Sequence, residues 1–91
     1  MKFAWDKLKC EQNFLTRGFG FDFAALIFSG LVIEATDNRL DYGEVRIRAI
    51  GQVQDFVLVV VYTDRGDTRR IISARLANRK EHALWHSFAK L

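Results

Sequence analysis

Apolar and polar positions change period several times along this chain, and each change marks an element. The opening KFAWD puts Phe3 and Trp5 at alternating positions, which predicts a short strand ending at Asp6. Asp6 is a good helix N-cap, and the helix it starts is expected to run to about Arg17 with Leu8, Phe14 and Leu15 turned inward. Gly18 ends that helix, because a glycine just past the last turn takes the left-handed conformation without a Cβ penalty. A shorter helix over about residues 22–28 is closed by Ser29 and Gly30.

From Leu31 onward the period falls to two. LVIEA suits a strand, residues 37–43 are polar and turn-rich, and EVRIRAIGQ alternates cleanly. Val45, Ile47 and Ala49 fall on one face, with Glu44, Arg46, Arg48 and Ile50 on the other. FVLVVVY is apolar on both faces, the mark of a central strand. DRGD reads as a turn, and TRRIISAR returns as another strand. Alternation along it puts Arg69, Ile71, Ser73 and Arg75 on one face and Arg70, Ile72 and Ala74 on the other, a parity that a β-bulge would shift. Asn78 followed by Glu81 has capping-box spacing, and Ala83, Leu84, Phe88 and Leu91 give the last helix an apolar stripe. The fold class is therefore α+β: a mostly antiparallel sheet of four to five strands, two N-terminal helices and one C-terminal helix, in a single domain over residues 1–91.

Composition narrows the function. The chain has 91 residues, about half of them apolar, and no proline, which describes an ordered domain near the lower size limit for a self-sufficient core. No apolar run is long enough to span a bilayer as a helix. Cys10 stands alone and no signal-like segment is apparent, so the cytoplasm is the expected location and Cys10 is read as a buried helix residue. The net charge of +3 is divided unevenly. Residues 1–45 carry five Lys or Arg against seven Asp or Glu, about −2, and residues 46–91 carry nine against four, about +5. Arginine outnumbers lysine nine to five, and guanidinium forks suit phosphate, so the imbalance points to an anionic partner.

The candidate chemistry sits on the strands. Arg46 and Arg48 share a face, while Arg65, Arg69, Arg70 and Arg75 lie within eleven residues on the hairpin and last strand. Like charges held together repel unless an anion joins them, and RNA cleavage needs such donors to hold the phosphorane-like oxygens. Arginine is a poor base, so proton transfer falls to Glu44, Asp41, Tyr62, His82 or His86. The two histidines are four apart on the last helix, but no third ligand is suggested nearby, and they are read as surface residues. Neither a phosphate-binding glycine loop nor a nucleophile–histidine motif is visible, and no cofactor or metal is expected.

Taken together, FAWD with Asn13 after it, RGFGF, DYGEVRIRAIG, VVVYTDRGD, RRIISAR, and Ala77 and Glu81 before a terminal aromatic give a chain that resembles the BrnT family. These are the toxin halves of bacterial type II toxin–antitoxin pairs, with a RelE-like ribonuclease fold. The resemblance implies a ribosome-independent endoribonuclease that restrains translation and is neutralised by a ribbon-helix-helix antitoxin. The pair would also bind its operator DNA, with a homodimer or heterotetramer as the assembly. An impaired member would instead serve as an antitoxin- or nucleic-acid-binding module, a corepressor. By motif position Arg46, Arg65, Arg70 and Arg75, with Tyr62 and Glu44, are the implied catalytic set, and Arg17, Arg48 and Arg69 the implied RNA-binding set. Trp5, Asp6 and Asn13 are assigned to packing and capping. The chain departs from the family pattern at Arg17, where Lys-His-Gly is usual and Thr16, Arg17 and Gly18 stand here; at Lys7, in place of a common proline; and at Trp85, in place of a frequent tyrosine.

Overall fold

A computed structural model describes residues 1–90; Leu91, assigned above to the stripe of the last helix, lies outside the described residues. The elements in order are β1 (Lys2–Trp5), α1 (Lys7–Arg17), α2 (Phe21–Ala24) continued by a 3-10 turn (Ala25–Ser29), β2 (Val32–Thr36), β3 (Ile47–Val53), β4 (Phe56–Arg65), β5 (Thr68–Leu76) and α3 (Arg79–Ala89). The five strands form one sheet in the order β1-β5-β4-β3-β2. Three neighbouring pairs are antiparallel, and β1 runs parallel to β5.

The strand read as doubly apolar is the central one. Leu58, Val60 and Tyr62 of β4 pack with Phe21, Ala24 and Ile27 on one side of the sheet. Val57 and Val59 pack under Trp85 of α3 on the other. Gly51 is what lets the 3-10 turn approach so closely: a Cβ there would stand 2.7 Å from Cβ of Ile27.

Caps behave as their sequences dictate. The Asp6 carboxylate accepts the Lys9 N–H at 3.0 Å, Gly18 closes α1 at φ +86°, and Asn78 and Glu81 form a complete capping box. The inward face assigned to α1 is corrected. Leu8, Phe14 and Leu15 are 63, 60 and 81% exposed. The helix lies against the body along a more polar line, where Cys10 Sγ accepts the Phe21 N–H and the Asn13 amide donates to the Phe19 carbonyl. Cys10 is accordingly half-buried rather than buried.

On α3 the buried line runs through Glu81, Trp85 and Phe88, and Ala83 and Leu84 turn outward. The indole buries more apolar area than Leu84 could, and its Nε1–H donates to Gln52 Oε1, so Trp85 sets the rotation of the helix. Val45, expected on the apolar face, is exposed and precedes β3.

Candidate nucleic-acid interface

The face of the sheet that carries α3 is only half covered. Reading across it, Ile33, Ile50, Val59 and Arg75 form one row, and Trp85 packs on its apolar members. The next row is Ala35, Arg48, Val61 and Ser73. Beyond that come Arg46, whose carbonyl accepts the Asp37 N–H, and Thr63 paired with Arg70. Ala35 and Ser73 are exposed, and Arg46, Arg48 and Arg70 are half-buried. Small residues on the flanking strands thus leave the guanidinium groups accessible from one side.

A register shift between Val61 and Tyr62 decides which arginines meet. Val61 pairs with Ser73 and Tyr62 with Ile71, so Ile72 is the extra residue of β5. Simple alternation, which placed Arg69 with Arg75 and Arg70 with Ala74, is corrected by this bulge. Arg70, Ser73 and Arg75 share the α3 face, and Arg69, Ile71 and Ala74 share the opposite one.

Five of the sequence-predicted arginines, Arg46, Arg48, Arg65, Arg70 and Arg75, and Glu44 are therefore brought to one face. Glu44 accepts from Arg65 Nη2 at 3.0 Å and from Arg46 Nε at 3.3 Å, and the Arg65 guanidinium foremost holds its carboxyl below the usual range. Arg75 is gripped by both oxygens of Glu81, which lowers the Glu81 pKa to about 2. Asp37, buried beside them, is held low by Arg39. The positive field of Arg48 reaches both Asp37 and Glu81. Among the described residues neither Arg48 nor Arg70 has a salt-bridge partner.

Three predicted site residues lie elsewhere. Tyr62 is 3% exposed on the α1 side, where its hydroxyl donates to Glu34, and burial first and then that carboxylate push its phenol above the ordinary range. Arg69 stacks over the Tyr62 and Phe28 rings, 3.9 and 4.7 Å from their centroids, and donates two hydrogen bonds to Asp64. Arg17 ends α1 and lines an open groove with Phe14, Phe19, Phe23 and Phe56 on the same α1 side. Of the other proton-transfer candidates, Asp41 caps the Gly43 N–H, and the His82 and His86 rings stand 4.7 Å apart on α3. No group of three or more potential metal ligands occurs among the described residues.

The sequence reading missed Tyr42, Asp37 and Arg39. The Tyr42 ring lies 3.8 Å from the Arg46 guanidinium, so an aromatic borders the arginine face. A loop aromatic has no periodicity to reveal it, and the DYGEVR motif was the only signal for Tyr42. In Asp37 the hidden feature is burial of a carboxylate within a polar stretch.

Among curated proteins none matches this chain. The family model described as "Ribonuclease toxin, BrnT, of type II toxin-antitoxin system" does match it, over residues 5–81, which cover the arginine-bearing strands, the capping box and the loop with Tyr42, and the chain therefore belongs to the BrnT family.

Proposed function

We propose that this protein is a ribosome-independent endoribonuclease with a RelE-like fold that cuts RNA on the α3 face of the sheet without a metal. The observation that carries the reading is the position of Arg48 and Arg70. Both are half-buried, both lack a salt-bridge partner among the described residues, and both stand beside three further arginines. The five arginines outnumber the carboxylates Glu44, Asp37 and Glu81 set among them, so the guanidinium groups raise each other's energy, and a phosphodiester laid across them removes that penalty. The same donors stabilise the charge that builds on the phosphoryl oxygens as the 2′-hydroxyl attacks. Arg46 and Arg65, oriented by Glu44, would flank the scissile group, and Arg75 would be the positioned margin of the site.

In the cell this activity would restrain translation in the cytoplasm. A ribbon-helix-helix antitoxin would neutralise it and carry the pair to its operator, in a heterotetramer or as a toxin homodimer with its partners. An acidic antitoxin segment over the arginine face is the simplest block, and it requires the affinity of the complex to fall steeply between low and high salt.

One observation favours a second reading, a catalytically impaired member acting as a corepressor or nucleic-acid-binding module. Glu44, Asp37 and Glu81, the carboxylates set among the arginines, are each held below their usual range by arginine, which makes weak bases of them. Tyr62 lies on the other side of the sheet, and Arg17 occupies the position of the family's histidine.

Incubation of a labelled single-stranded RNA with the protein in EDTA separates the readings. An Arg48→Ala, Arg70→Ala double variant, shown by circular dichroism to be folded, serves as the control. Cleavage by wild type alone supports the nuclease. Retained RNA binding without cleavage supports the module, and restoring histidine at position 17 then asks whether a lost proton carrier is the reason.

A further inference from the structure

We propose that the cleft between the 37–43 loop and Arg46 is a nucleobase subsite, in which Tyr42, backed by the Arg46 guanidinium, stacks one base of a single-stranded RNA. The inference rests on the RNA-binding reading above and adds what that reading lacks, a contact to a base rather than to phosphate.

Four features converge. The Arg46 guanidinium carbon lies 3.8 Å from the Tyr42 ring centroid, and the Arg46 Nε–H is fixed by Glu44. A cation held against one face of an aromatic ring leaves the opposite face for a second stacking partner, and a base satisfies both the flat shape and the quadrupole. The loop that presents the ring is tied to the end of β3 at Asp37 and turned locally at Asp41 and Gly43. Asp37 accepts from Arg39 with both carboxylate oxygens, at 2.8 and 2.9 Å, and donates its N–H to the Arg46 carbonyl at 2.8 Å. At the other end the Gly43 N–H donates to Asp41 Oδ1, with φ +70° at the glycine. Stacking on such a ring costs little further ordering.

The cleft itself has a volume of about 400 Å³ and is lined by Asn38, Leu40, Tyr42, Glu44 and Arg46, so it is large enough for a nucleotide and carries both donors and acceptors for a base edge. Finally, the subsite adjoins the place where the phosphates belong. Arg46 sits in the same sheet face as Arg48 and Arg70, so a strand whose backbone follows those two arginines brings a neighbouring base to Tyr42. An apolar peptide would find no comparable match, because the cleft walls are largely polar and charged.

Single-stranded oligonucleotides carrying 2-aminopurine at successive positions provide the test, titrated with wild type, Tyr42→Ala, Tyr42→Phe and Tyr42→Leu. With wild type one position is expected to show strong fluorescence quenching. Tyr42→Ala and Tyr42→Leu should abolish that quenching and weaken binding roughly 5- to 150-fold, the range of one lost base–aromatic stack. Tyr42→Phe should stay within about twofold of wild type, since it keeps the π face. Leu fills similar space without that face, so a loss confined to Ala would assign Tyr42 to loop packing and overturn the proposal. Arg48→Ala distinguishes the two layers of inference. If it weakens binding while the Tyr42 variants do not, RNA still lies on the arginine face and the base subsite is wrong. Absence of RNA binding by wild type removes both.

Discussion

Arg75 and Glu81 are joined by two parallel hydrogen bonds, Nη1 to Oε1 at 2.7 Å and Nη2 to Oε2 at 2.8 Å, and the same carboxylate accepts the Asn78 N–H that completes the capping box of α3. The last strand and the last helix are thus tied through one acidic group. Its pKa is lowered to about 2, first by Arg75. An unfolded glutamate titrates near ~4.3, so the folded value is the depressed one. The stabilisation is then present above the unfolded value and is lost as pH falls from about 4.5 toward 2. Glu81→Gln should lower stability at neutral pH by about 1 kcal/mol, the size of a half-exposed ion pair, because glutamine keeps the capping hydrogen bond from the Asn78 N–H. Thermal midpoints measured from pH 2 to 7 should show the gap between wild type and variant closing across that window. A gap that stays constant down to pH 2 would mean that this pair does not contribute.

Because Arg75 is already engaged, the arginines are not equivalent. Arg48→Ala and Arg70→Ala are each expected to cut RNA cleavage by roughly 10²-fold, the cost of losing one preorganised donor to a developing oxyanion. Arg75→Ala should act more through α3 than through the phosphate. Arg69→Ala should leave cleavage near wild type and instead lower stability, since its guanidinium is committed to Asp64 and to two aromatic rings on the other side. Single-turnover cleavage rates together with urea midpoints for the four variants separate these outcomes. A large rate loss for Arg69→Ala at unchanged stability would contradict the division of the two faces.

Gly51 sits where the 3-10 turn crosses β3, and a methyl there meets Ile27 Cβ at 2.7 Å and a Val32 methyl at 3.1 Å. Both neighbours are branched and packed. Gly51→Ala should therefore destabilise by about 1–3 kcal/mol, as overpacked cores do. Equilibrium urea unfolding gives the value directly, and a variant as stable as wild type would show that the turn can lift at no cost.

What could be read from the chain divides along physical lines. Strand order in the β3–β4–β5 meander, the central place of β4 and the caps at Asp6, Gly18 and Asn78 follow from local patterns, and those are the features that local chemistry determines. Helix rotation does not follow in the same way. Leu8, Phe14 and Leu15 have no layer to pack against, and Trp85 displaces Leu84 from the sheet, both outcomes of competition among distant surfaces. The arginine face was legible in Arg48, on the regular strand β3, and in Arg46 just ahead of it. It was misassigned on β5 because a single extra residue at Ile72 inverts every side chain beyond it, and a bulge leaves little trace in the pattern of apolar positions. Tyr62 was grouped with the site by its titratable hydroxyl and its motif neighbourhood, and neither says which face a strand residue takes.

The division of faces makes its sharpest prediction at that residue. Tyr62 is buried under the 3-10 turn, edge-on to Phe28 at 5.2 Å between centroids, and its hydroxyl donates to Glu34. With burial and the adjacent carboxylate both opposing ionisation, the phenol has no path to a 2′-hydroxyl lying across the sheet and no tendency to deprotonate near neutral pH. Tyr62→Phe keeps the ring contacts and removes only the hydrogen bond, and Glu34 remains exposed enough for water to take its place. The expected result is a stability loss of about 1 kcal/mol with the cleavage rate and its pH profile unchanged. A folded Tyr62→Phe protein whose cleavage drops a hundredfold, or whose pH profile loses a limb, would put the phenol back among the reacting groups and require the RNA to reach the α1 side of the sheet.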